Sequence, residues 1–276
     1  MYRNLKNILA FLLPLFLLGC PFHNHSSLVV INAGVIEITV SPNPIKIANG
    51  GDSQLSATAT VITEQGEEVT LDITEDAKWQ SLNTSIVYFD SSLAEGVLSS
   101  DYNGSSNTAQ IIVIYDGVES DPVDVEVCQL NQDCLMQKIV DTSGVYITSS
   151  PSLAYFNGLA SSPSYSSSVS DFSGGSSYGQ FIAMTYLQAS DWCAYLSSVE
   201  LEGRNDWQLY EEDIYDALFA TVGDFYAAFG WPTTYHYWTS DTGFALGDYI
   251  TYDLDDGSQS DLADSSALYA SCISFP

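Results

Sequence analysis

The residues best equipped for acid–base work stand in the stretch EGRNDWQLYEEDIYDALF, Glu202 to Phe219, where Arg204 and Trp207 precede the adjacent carboxylates of Glu211 and Glu212. Two glutamates together suggest a glycosidase pair. Neighbouring residues on a helix point in different directions, however, so this spacing cannot set them on either side of one scissile bond. At a helix start they complement the positive end of the helix dipole instead. Arg204 is expected to find a local ion-pair partner. The chain carries no GxSxG, HExxH, Walker or dinucleotide glycine motif. Its histidines are His23, His25 and His236, so Cys–His catalysis would need His236 and a free thiol. The expectation is a protein that is not an enzyme.

One segment invites a metal. DLDDGSQSD offers Asp253, Asp255, Asp256 and Asp261 as closely spaced oxygen ligands for calcium. It lacks the EF-hand pattern, and a solvated β-turn around Gly257 is the preferred reading. No other cofactor is expected. The best candidate for a contact surface is FYAAFGWPTTYHYW, Phe225 to Trp238. Tyrosine and tryptophan bring large rigid area with a polar tip, which suits binding anchors. Trp231, Tyr235 and Tyr237 are therefore the candidate ligand-binding residues, and strand alternation would put the two tyrosines on one face. Trp238 is assigned to the core.

Charge narrows the partners. Of 276 residues, 6 are Lys or Arg and 35 are Asp or Glu, a net −29. Such a field repels nucleic acid, anionic lipid head groups and sulfated polysaccharides, and it suits a surface bathed in screening salt. Hydrophobic residues make up 46% of the chain, enough to fill a core. The first residues read as an address: a basic MYRNLKN, an apolar ILAFLLPLFLL too short to span a bilayer, then LLGC. This resembles the bacterial lipoprotein signal, which implies cleavage after residue 19 and lipidation of Cys20. The membrane is then met through a lipid anchor only, and the mature chain lies in the cell envelope, with the outer membrane favoured. Cys128, Cys134, Cys193 and Cys272 remain, an even count suited to disulfides in an oxidising compartment. CQLNQDC could close a small Cys128–Cys134 loop; four thiols allow three pairings.

The elements divide the chain. Residues 20–34 read as a tether. Residues 35–127 show strand periodicity: in QLSATATV, Leu55, Ala57, Ala59 and Val61 take one face and the hydroxyls the other. SPNP, NGGD, EQGEE and YDGVESDP mark turns. IEITVSPNPIKIANGGDSQLSATATV, AKWQSLNTSIVYF, GVLSS and NTAQIIVIYDG together resemble the bacterial immunoglobulin-like domain of invasins and intimins. That resemblance implies an all-β sandwich acting as a spacer, with Trp79 in its core.

Residues 128–276 form the second domain. Its part 128–180, rich in Ser, Gly and Tyr, reads as a connector that is partly packed. In 181–276, Thr185 and Gln188 have capping-box spacing ahead of a helix whose apolar stripe is Leu187, Trp192, Cys193 and Leu196. A second helix is predicted from Glu211 to about Val222, then strands in YHYWTS, DYITYDL and LYASCIS. The blocks WCAYL, GRNDWQLYEEDIYDAL, YWTSD and YASCIS resemble an α+β C-type-lectin-like domain found at the ends of invasin-type and collagen-like adhesins. Gln208 and Tyr210 depart from that pattern, where the family has Arg and Pro. The resemblance implies a Cys193–Cys272 bridge, leaving Cys128–Cys134, and places Trp207 in the core. It also implies an adhesin-like binding protein whose partner is a glycan or a surface protein. A structural envelope lipoprotein without an external ligand is the second reading, and a hydrolase the third.

Overall fold

A computed structural model describes residues 32–101, 107–132, 134–139, 144–173 and 179–275. Cys20, the expected lipidation residue, and His23 and His25 lie outside them. Residues Asn32–Pro276 make one compact unit, rich in β-sheet with few helices. Among the described residues, no helix is long and apolar enough to cross a membrane.

In the first half, β4 (Ser56–Thr63) lies between β1 (Asn32–Ser41) and β5 (Glu68–Asp72), antiparallel to both. Its alternation is the expected one, with Ala57, Ala59 and Val61 fully buried. A second sheet runs β10 (Val118–Glu119), β9 (Asn107–Tyr115), β11 (Val123–Cys128) and β2 (Ile45–Ala48), and β6 (Lys78–Ser81) also pairs with β9. A third joins β3 (Asp52–Gln54), β8 (Val97–Ser99) and β7 (Tyr88–Phe89). Trp79 is buried, its ring 5.4 Å from Phe89, and its Nε1–H donates to the Thr74 carbonyl at 3.0 Å.

In the second half, β12 (Gln137–Ile139), β13 (Tyr146–Thr148), β20 (Cys272–Ser274) and β16 (Gln208–Leu209) form a sheet in that order. The last strand thus sits inside its sheet. The hairpin of β14 (Ser167–Asp171) and β15 (Gly179–Ala183) and the meander of β17 (Tyr237–Thr242), β18 (Asp248–Tyr252) and β19 (Gln259–Ala263) complete the strands. Among the described residues, four α-helices join them: α1 (Leu153–Gly158), α2 (Tyr186–Ser198), α3 (Glu212–Val222) and α4 (Phe225–Phe229). The stretch read as a connector is built into this fold. Tyr146 and Phe156 from this stretch are buried in the core, and β13, which carries Tyr146, pairs with β20.

Local signals account for the helices. Thr185 caps α2 with the reciprocal Gln188 contacts of a capping box, and Trp192, Cys193 and Leu196 face inward. Leu187 does not join that stripe; it is 68% exposed. Glu211 is the N-cap residue of α3, with Glu212 and Asp213 in its first turn. Both disulfides are present: Cys128–Cys134, with Cα atoms 6.1 Å apart, and Cys193–Cys272, at 5.6 Å.

The halves are fastened directly. Asp52 is buried, accepting from Lys138 Nζ at 3.0 Å and from the Ile139 N–H at 2.9 Å. Gly51 allows the approach, since a Cβ there would stand 2.9 Å from the Gln137 carbonyl. Glu202, held in the left-handed region at φ 52°, accepts from the Gln54 N–H at 3.3 Å. Burial pushes its carboxyl up to about 6, against the hydrogen bonds from Gln54 and Ser53 and the charge of Arg204. A carboxyl raised in the folded state binds its proton more tightly there than in the unfolded chain. Its contribution is therefore complete below the unfolded value of 4.5 and is lost as pH rises through about 6. Glu202→Gln is expected to be more stable than the parent by about 1–2 kcal/mol at neutral pH. In denaturant titrations across pH the gap should close below the unfolded value; a gap independent of pH would contradict the assignment.

Candidate recognition surface

Most of the aromatic segment expected to present a binding face is packed inward. Asp224 caps α4 through the N–H groups of Tyr226 and Ala227, and Gly230 ends it in the left-handed conformation. That turn folds the chain back inward. Trp231 is fully buried, 5.1 Å from Phe225 and 6.1 Å from Tyr237 by ring centroids, and its Nε1–H donates to Met136 Sδ at 2.8 Å. Tyr237 is also fully buried and donates to the Pro232 carbonyl at 2.7 Å. Trp231 and Tyr237 therefore offer no surface to a ligand. Tyr235 precedes β17, so alternation does not pair it with Tyr237; it is 38% exposed, edge-on to Tyr269. Around them Tyr210, Tyr215, Tyr252 and Tyr269 pack into the same cluster, and burial pushes the Tyr215 and Tyr237 hydroxyls far above the ordinary range.

The opening stretch is likewise structural. Trp207 is buried, donates to the Leu201 carbonyl at 3.2 Å and meets Tyr146 edge-on. Asp206 holds the chain end, accepting from Ser274 Oγ and from the Phe275 N–H. Arg204 lies over the Tyr146 ring at 4.3 Å and donates to the Gly144 carbonyl at 2.7 Å. Its cation is thus spent on a π face and a carbonyl as well as on the Glu202 charge.

The calcium candidates do not converge. Asp253 accepts from the Asp255 N–H and lies 3.6 Å from His236 Nε2, and Asp256 accepts from the Ser258 N–H. Gly257 has a positive φ, as the turn reading requires. Asp261, on β19, accepts from the Phe244 N–H instead. Among the described residues no group of three or more His, Cys, Asp or Glu side chains is placed to hold a metal ion. One oxygen each of Asp253, Asp256 and Asp261 accepts a backbone N–H.

What the surface does present is the loop between β17 and β18, TGFALGD. Phe244 is 99% exposed and Leu246 is 106% exposed. Two large apolar side chains this free, two residues apart on one turn, form a small joint apolar tip. The turn is held from within: the Gly243 N–H donates to the Asp248 carbonyl at 2.7 Å, the Asp248 N–H to the Ala245 carbonyl at 3.0 Å, and the Phe244 N–H to the Asp261 carboxylate at 3.0 Å. Gly243 lacks the Cβ that would stand 3.1 Å from both Asp248 and Asp261. Its base is tied to the core. Tyr249 stacks on Tyr186 with centroids 3.4 Å apart, and both meet the buried Trp238 edge-on. The Gly247 carbonyl accepts from the Asp264 N–H, and the Asp264 carbonyl accepts from the Tyr186 N–H at the start of α2. A shallow cleft of about 450 Å³ opens there, lined by Tyr186, Leu187, Tyr249 and Asp264 among others. The exposed Leu187 belongs to this face.

No family model matches. No curated protein matches the chain either. Among solved structures, that of the Yersinia pseudotuberculosis adhesin InvE is similar over 87% of this chain and 98% of its own, at 12% identity and a TM-score of 0.28.

Sequence reasoning passed over Phe244 and Leu246. Their signal was there to read: Phe-Ala-Leu between two glycines, with an aspartate outside each, is an apolar triplet where a turn calls for polar residues.

Proposed function

We propose that this chain is an envelope-anchored, adhesin-like binding protein without catalytic activity. A lipid on Cys20 and a short tether hold it to the membrane, the first half serves as an immunoglobulin-like spacer, and the second is a C-type-lectin-like domain. Two features support the lectin-like reading: the Cys193–Cys272 bridge from α2 to the last strand, and the burial of Trp207 and Trp238 in their sequence blocks. The observation that carries the binding reading is the hairpin tip, with Phe244 and Leu246 exposed on a turn closed by its own hydrogen bonds. Burying side chains of this size is worth about 1.5–3 kcal/mol each, available only when a partner covers them. The ligand is a glycan or a surface protein.

The test is an array of matrix proteins and glycans probed with the chain from residue 21 onward. Phe244→Ser with Leu246→Ser is expected to weaken the strongest hit by at least about 30-fold while leaving thermal stability unchanged, since neither side chain packs in the core. Hits unaffected by the double variant would remove the tip from the account.

A further inference from the structure

We propose that the partner covering the hairpin tip is a protein surface that offers an apolar socket rimmed by lysine and arginine. This rests on the binding role assigned to the tip and adds the chemistry of its occupant. Two observations carry it.

The first is the polarity of the tip. Its backbone hydrogen bonds are largely closed internally, among Gly243, Phe244, Ala245, Gly247 and their partners. What it offers outward is a phenyl ring and an isobutyl group. A fully exposed leucine has nothing to exchange with sugar hydroxyls, and covering it with a polyhydroxylated ligand would strand their hydrogen bonds. An apolar socket in a protein suffers no such loss and gains the buried area.

The second is charge. From residue 205 to the chain end there are thirteen Asp and Glu and no Lys or Arg. Three of the acids flank the tip. Asp248 begins β18, Asp261 holds the Phe244 N–H, and Asp264 holds the Gly247 carbonyl through its own N–H and lines the cleft beside Leu187. An apolar centre flanked by acids fits a partner flanked by the opposite charge, which steers approach and rejects like-charged surfaces. A bilayer is the wrong occupant, because its anionic head groups would face those same carboxylates.

The experiment uses the chain from residue 21 onward, immobilised, and probes of defined chemistry. These are amphipathic helical peptides of Leu/Lys, Leu/Glu and Ser/Lys composition, a neutral-glycan array, and vesicles of phosphatidylcholine with and without phosphatidylglycerol. The Leu/Lys peptide is expected to bind best. Its affinity should fall about 30-fold in the Phe244→Ser, Leu246→Ser variant. It should fall about fivefold in Asp248→Asn with Asp264→Asn, and further as salt rises from about 0.05 to about 0.5 M. Equal binding of Ser/Lys and Leu/Lys peptides, or Leu/Lys binding untouched by the tip variant, would reduce the effect to diffuse charge and overturn the proposal. Tip-dependent binding of a glycan or of vesicles in place of the peptide would overturn the partner class while leaving the binding role standing. Absence of tip-dependent binding to every probe and to the matrix-protein array would overturn both.

Discussion

Trp231→Ala is expected to lower the stability of the folded chain by about 3–5 kcal/mol, the range for truncating a buried aromatic. The indole has no exposed surface and rests on Phe225, Phe229 and Tyr237, with its N–H directed at Met136. Removing it empties the centre of the cluster formed by α3, α4 and the meander and leaves Met136 facing a void. Trp231→Phe should recover part of the loss by refilling volume. Denaturant unfolding checks this: the midpoint should shift strongly for alanine and less for phenylalanine. An alanine variant as stable as the parent would return Trp231 to the surface. Any loss of binding in this variant would report loss of fold, which is why the tip serves better as a probe of recognition.

Asp52→Ala should be almost as costly, at about 3–4 kcal/mol, because it strands a charge and a backbone donor at the joint between the halves. The Asp52 side chain is inaccessible and serves both Lys138 Nζ and the Ile139 N–H. The five tryptophans offer a way to see where the damage falls: Trp79 lies in the first half and Trp192, Trp207, Trp231 and Trp238 in the second. In a Trp79→Phe background, fluorescence reports the second half and far-ultraviolet circular dichroism the whole chain; the two transitions should coincide without the Asp52 substitution and separate in Asp52→Ala. Coincident, unshifted transitions in the variant would mean that the ion pair does not fasten the halves. For the same reason a fragment beginning at residue 128 loses the partner of Lys138 and is a poor substitute for the whole chain in binding work.

Much of this fold was legible because its signals are local. The capping box of Thr185 and Gln188, the alternation of Leu55 to Val61, and the acidic first turn of α3 each need only neighbouring residues to act. Trp79, Trp207 and Trp238 were read as core and are buried. What failed depended on where the chain goes next. FYAAFGWPTTYHYW resembles an exposed aromatic loop until Asp224 and Gly230 make its first part a capped helix that turns Trp231 inward. Leu187 was placed on the apolar stripe, yet its neighbours one turn on are Ser190 and Asp191, so it lies on the face of α2 opposite Leu196 and points to solvent. The proposed recognition face was missed by the same asymmetry. Aromatic density drew attention to the core, whereas Phe244 and Leu246, two apolar side chains at a turn, are almost wholly exposed.

The most direct measurement is hydrogen exchange on the chain from residue 21, free and bound to the strongest hit of the matrix-protein array. The account predicts protection centred on residues 242–249 and the neighbouring start of α2, with no change across 225–238. Protection centred on 225–238, with the tip exchanging as in the free chain, would contradict it.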